Sequence, residues 1–147
     1  MQGIVFGLAA PAAAATTDPE IIIYRFPGVR DDGSGSNVGV ATAFHCTNFS
    51  GVQENLRLVT RGGGGDLRNN NLFLLNHLTT VTVSTHLTAA YNHGSLDTGA
   101  VTQGTAAIAA TSTNVICTAM TIDASNPVPT GVALRGIRFS PVPGSQE

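Results

Sequence analysis

The chain has 147 residues, a formal net charge of −2, 11% charged residues and 5% aromatic ones. That length supplies the core of one domain, and so sparse a charge lacks the concentrated basic field that binding to nucleic acid or an anionic membrane surface requires. The basic side chains are all arginine apart from histidine, so chemistry that needs a lysine (a Schiff base, a P-loop, an amine general base) is excluded.

In chain order, the first signal is MQGIVFGLAAPAAAATTDPE, an apolar run over residues 4–15 that ends in Ala13-Ala14-Ala15 ahead of Thr16. It has the small-residue cleavage pattern of a secretory signal, without the usual basic start, and is too short to span a bilayer. Residues 1–15 are therefore expected to be a signal peptide and 16–147 a single domain that is secreted, periplasmic or on the cell surface. No later apolar stretch approaches membrane length, so the mature chain is not expected to insert.

EIIIYRF (20–26) is β-branched and aromatic and meets Pro27-Gly28, while RDDGSGSN (30–37) reads as a turn-rich loop. VGVATAFHC (38–46) alternates, with Val38, Val40, Thr42, Phe44 and Cys46 on a core face and His45 on the other. VQENLRLVTR (52–61) sets Val52, Glu54, Leu56, Leu58 and Thr60 against Arg57, Val59 and Arg61. The glycines 62–65 and DLRNNN then predict a long flexible connection over 62–71. LFLLNHLTTVTVSTH (72–86) is too rich in Thr and Val for a helix and predicts strand with a bend or bulge at Asn76-His77. With VTQGTAAIAA (101–110), NVICTAMTI (114–122) and GVALRGIRF (131–139), the chain offers about seven to eight short strands. The expected fold is an all-β, antiparallel, immunoglobulin-like β-sandwich.

Two cysteines, Cys46 and Cys117, predict one disulfide in an oxidising compartment. Their places in the second and the penultimate strand suggest a bridge between the sheets. The immunoglobulin pattern is incomplete, since there is no tryptophan to pack on the bridge and Val115 stands where a tyrosine corner would put Tyr. GVATAFHCTNFSG together with NVICTAMTIDASNPVPTGVALRGIRFSPVPGSQE resembles a group of small exported bacterial proteins usually labelled hypothetical. The resemblance covers most of the mature chain and implies no activity, ligand or catalytic residue.

SLDTGAV (95–101) resembles the Asp-Thr-Gly signature of aspartic proteases, whose retroviral-type members bring one motif per subunit together so that two aspartates share a proton. Asp97 would be the catalytic residue of such a dimer. The context departs from that pattern: turn-like YNHGS precedes the motif, and the later VALRGIR carries Arg135 where an apolar residue belongs. A hairpin turn with Gly99 at positive φ accounts for the same residues. His45, His77, His86 and His93 lack zinc-site spacing, and Asp32, Ser34 and Ser36 lack the glutamate that completes a calcium loop, so no metal ligand is assigned. Asn48-Phe49-Ser50 fits the glycosylation acceptor pattern, and Arg57 with Arg61 offers either an anion site or solvated edge charges.

Function on a sandwich usually sits in its loops. The candidate binding residues are therefore Asp66, Arg68 and Asn69 in the glycine-rich connection, and Tyr91, His93 and Asp97 in or next to the loop over 92–99. The expectation is an exported, non-catalytic module without a cofactor, acting as a structural or cell-envelope component or binding a protein or glycan partner. A subunit of an extracellular assembly is the other reading, and the Thr/Val-rich strands are compatible with homo-oligomers.

Overall fold

A computed structural model describes residues 20–138, and these form two antiparallel sheets with no helix. The signal peptide expected over 1–15 lies outside the described residues. The strands are β1 (Ile21–Asp31), β2 (Val40–Asn48), β3 (Glu54–Arg61), β4 (Leu67–Leu75), β5 (Thr80–Ser84), β6 (Val101–Ala110), β7 (Val115–Asp123), β8 (Gly131–Leu134) and β9 (Ile137–Arg138). One sheet has the order β4-β3-β6-β1-β9, the other β5-β2-β7-β8. The fold is the all-β sandwich that the strand pattern predicts.

Period-two alternation decides what meets between the sheets. Thr42, Phe44, Cys46 and Asn48 of β2 are buried, as are Leu56, Leu58 and Thr60 of β3. Phe26 of β1 meets Phe44 of β2 edge-on at 5.9 Å, joining the two sheets through aromatic contact. Val38, expected on the core face, precedes β2 and is exposed, as is Val52 ahead of β3.

The Cys46–Cys117 disulfide forms, but its position corrects the expected bridge between sheets. β2 and β7 are neighbours in the four-stranded sheet, and Cys46 faces Cys117 in register with their Cα atoms 4.2 Å apart. That spacing suits the close pair of an antiparallel ladder. The bond therefore staples adjacent strands on the inner face of one sheet, whereas the immunoglobulin bridge runs from sheet to sheet.

Four segments also differ from expectation. The flexible connection over 62–71 is a tight turn at 62–66, closed by Gly62 N–H to the Asp66 carbonyl at 2.9 Å and Gly65 N–H to the Gly62 carbonyl at 3.0 Å. Its continuation, residues 67–71, belongs to β4 because β3 supplies a ladder for the asparagine run. Asn76-His77 is the corner at which the chain leaves the five-stranded sheet for the four-stranded one, with Leu78 at φ 59°. GVALRGIRF likewise divides into β8 and β9 on different sheets, passing so near Phe26 that a Cβ on Gly136 would lie 2.4 Å from its ring. Finally, β1 does not stop at Pro27-Gly28 but runs on to Asp31 through irregular register with β6, which accommodates the missing proline donor.

Candidate functional site

Residues 85–100 form the longest described stretch without regular structure, and they connect β5 in one sheet to β6 in the other. Loops of more than about 12–15 residues inside a compact domain are usually functional or disordered. This one is tied down along its length. Thr85 N–H donates to the Thr42 carbonyl at 2.9 Å, the Leu87 carbonyl accepts from Asn37 N–H at 2.8 Å, and Ala89 N–H donates to the Ala124 carbonyl at 2.8 Å. On the return, residues 94–96 lie beside the end of β5, with Ser84 N–H donating to the Gly94 carbonyl and Leu96 N–H to the Ser84 carbonyl.

The firmest tie is a buried polar cluster. Asp31, only 2% exposed at the end of β1, accepts from Gly33 N–H at 2.7 Å, from the His86 ring at 2.9 Å and from the Thr98 hydroxyl at 3.3 Å. The His86 Nε2 atom faces the Val38 carbonyl at 3.0 Å. Both ring nitrogens lie within hydrogen-bond distance of an oxygen, so the ring is anchored at two points, to Asp31 and to the Val38 carbonyl. Asp31, Asp32 and His86 bring ligand-type atoms within 4.8 Å of one another. The Asp31 oxygens and both ring nitrogens are already engaged by protein atoms, so the geometry fits a latch between β1 and the loop better than a metal site.

Next to the latch, Asp32 collars the turn over 32–39 by accepting from Ser34 N–H at 3.0 Å and Val40 N–H at 2.9 Å. The Ser34 N–H leads in holding its carboxyl below the usual 3.8. Gly39 has φ 72°, and a Cβ there would strike the Asp32 carboxylate.

At the loop's apex, Ala90, Tyr91, Asn92 and His93 stand over Thr82 and line an open pocket of about 240 Å³. Beneath it, the His45 ring packs edge-on against Tyr91 with centroids 4.6 Å apart, and its Nδ1 shares a hydrogen bond of 3.1 Å with the Thr82 hydroxyl. Burial pushes the His45 pKa down from 6.5, which keeps the ring neutral at pH 7. The lining contains no carboxylate and no arginine.

The structure separates the other candidates. Asn69 joins the loop by donating from Nδ2 to the Leu96 carbonyl at 2.6 Å, whereas Asp66 and Arg68 pair with each other at 2.5 Å on the exposed turn. Asp97 sits at φ 49°, and its carboxylate accepts from the Ser95 hydroxyl at 2.5 Å. The neighbouring Thr98 hydroxyl is directed to Asp31 and the Gly99 carbonyl. Asn48 is buried, with Nδ2 donating to the Val52 and Leu75 carbonyls, so the folded chain does not present it for glycosylation. Arg57 is held by Glu20 and Asn70, and Arg61 by the Gly65 carbonyl. Sequence reading gave Thr82, Ala90 and Asn92 no role of their own, and no local pattern ties Asp31 to His86.

These pKa directions fix the acid response. Asp32, Asp123 and His45 are all lowered; Asp123 is held down first by the Ser125 hydroxyl. Each therefore takes up its proton at higher pH in the unfolded chain than in the folded one, so all three withdraw stability as pH falls. Melting temperature is expected to decline from pH 7.5 downward, first as pH drops below the ordinary histidine value of 6.5 and further below the ordinary carboxylate value of 3.8. Thermal unfolding followed by circular dichroism across that range checks it, and a melting temperature that rises on acidification contradicts it.

No family model matches this chain, and neither a curated protein nor a solved structure is detectably similar to it.

Proposed function

We propose that the protein is an exported, non-catalytic binding module whose ligand, an uncharged glycan, seats against Tyr91, Asn92 and His93. The observation that carries this reading is the loop over 85–100, which is fixed at both ends while its apex frames the pocket over Thr82. Such fixing lowers the ordering cost of binding. The lining combines an aromatic ring with amide, hydroxyl and imidazole groups, which complements the C–H faces and hydroxyls of a sugar. The ionisable groups nearest to the enzyme-like motif are engaged internally: Asp97 with Ser95, and Asp31 with His86. The disulfide supports export, because such bonds persist in oxidising compartments.

Binding to an array of neutral oligosaccharides tests the assignment. Tyr91→Ala and His93→Ala are each expected to weaken binding at least about tenfold, as a hot-spot truncation does, while the melting temperature stays within about 3 °C of the parent. Binding unchanged in both variants, or no glycan bound by the parent, refutes it.

A further inference from the structure

The edges of the two sheets are protected unequally. β5 is covered at Ser84 by residues 94–96, β8 is four residues long, and β9 is two residues long. β4 is different: its nine residues pair with β3 on one side, and on the other no described backbone group meets them. The inward Asn69 side chain ties the start of the strand to the loop over 85–100 by donating to the Leu96 carbonyl.

Its sequence carries little of what normally keeps such an edge single. Natural edges are blunted by lysine, proline, inward charges, bulges or shortness. The register break opposite Thr60 and Arg61, together with Arg68, provides such a device at the start of the strand alone. From Asn69 to Leu75 the run NNNLFLL contains no charge, proline or glycine. Its inward side chains, Asn69, Asn71, Phe73 and Leu75, alternate with outward ones, and the outward Leu72 and Leu74 are 49% and 65% exposed.

We propose that β4 is a homodimer interface, in which two copies of this chain pair their β4 strands antiparallel across a two-fold axis and join the five-stranded sheets into one. The inference goes beyond the ligand reading above and does not depend on it. Alternate residues of an edge strand point N–H and C=O outward, so about four residues of β4 present unpaired groups that an antiparallel copy satisfies reciprocally. With the axis near Asn71, Leu72 lies opposite Asn70 of the partner subunit, and Leu74 lies opposite the partner's Arg68, whose aliphatic stem can cover it. A second copy is the fitting occupant because an isologous contact uses the same edge twice and closes at two, leaving no further long edge among the described residues. One strand pair buries less than the roughly 1,200 Å² of a standard stable interface, so the dimer is expected to be reversible.

Sedimentation of the folded protein from about 1 µM to 1 mM is expected to show a monomer–dimer equilibrium that stops at two, with a dissociation constant on the order of micromolar to millimolar. The double variant Leu72→Lys/Leu74→Lys puts like charges across the axis and is expected to raise the dissociation constant at least about tenfold. Val132→Lys, on exposed β8 in the other sheet, is expected to leave it unchanged. Circular dichroism at the lowest concentration confirms that the double variant is folded, and amide exchange in the parent should show alternate β4 amides gaining protection as concentration rises. Four results overturn the proposal: a monomer throughout, open-ended oligomers, a dimer indifferent to the β4 lysines, or β4 amides whose exchange ignores concentration. Should the double variant not fold, that exchange result alone decides.

Discussion

Asp31→Ala is expected to destabilise the protein by about 3 kcal/mol or more, because each buried donor left without its acceptor costs about 1–3 kcal/mol. The substitution deletes an acceptor shared by Gly33 N–H, the His86 ring and the Thr98 hydroxyl, at a residue almost fully withdrawn from water. A donor left unsatisfied inside a protein costs more than its hydrogen bond contributed. Asp31→Asn keeps one acceptor oxygen but turns an amide N–H toward donors that already face the site, so an intermediate loss is expected. Urea unfolding at pH 7 measures both. A loss below about 1 kcal/mol for Asp31→Ala would mean that the cluster is not a latch.

Removing the disulfide, by Cys46→Ala with Cys117→Ala, is expected to cost about 4 kcal/mol, from the chain entropy restored to the unfolded state. The bond closes a separation of 71 residues, and that span contains β3, β4, β5 and β6. Set against a typical domain stability of about 5–15 kcal/mol, the loss is a large fraction of the total. Because Cys46 and Cys117 already face each other in the ladder between β2 and β7, the folded strands should keep their register without the bond. The effect should therefore appear as a lower urea midpoint with near-native circular dichroism in buffer. A midpoint unchanged within error contradicts the entropic account.

How much of this was legible in the sequence depends on how local each determinant is. The alternation of Thr42, Phe44 and Cys46, and of Leu56, Leu58 and Thr60, identifies strands and their inner faces because both follow from a two-residue repeat. VTQGTAAIAA coincides with β6 for the same reason. The pairing of Cys46 with Cys117 could be read from their number and expected compartment, but not the sheet to which each belongs. That depends on strand order, and β7 pairs beside β2 through contacts distant in sequence. The glycine and asparagine run over 62–71 has the composition of a loop, yet residues 67–71 are strand because β3 lies alongside. Tertiary pairing overrides propensity there. Of the candidate site, Tyr91 and His93 were reachable from loop composition, and both line the pocket. The latch was not, because Asp31 looks like one more turn aspartate and its partners His86 and Thr98 lie 55 and 67 residues away.

The Asp31 cluster and the backbone bonds of Thr85, Ala89 and Leu96 hold the connection over 85–100 as a fixed platform for Tyr91, Asn92 and His93. Amide hydrogen exchange of the parent and of Asp31→Ala, under conditions where both remain folded, tests it most directly. Slow exchange is expected in the parent at Thr85, Ala89, Leu96 and Thr98, whose N–H groups are bonded to backbone carbonyls, beside fast exchange at Asn92 and His93. In Asp31→Ala, protection should fall at Thr85 and Thr98 while the β2–β7 ladder keeps its own. Rapid exchange across the whole loop in the parent, or a loop unaffected by the loss of Asp31, would contradict it.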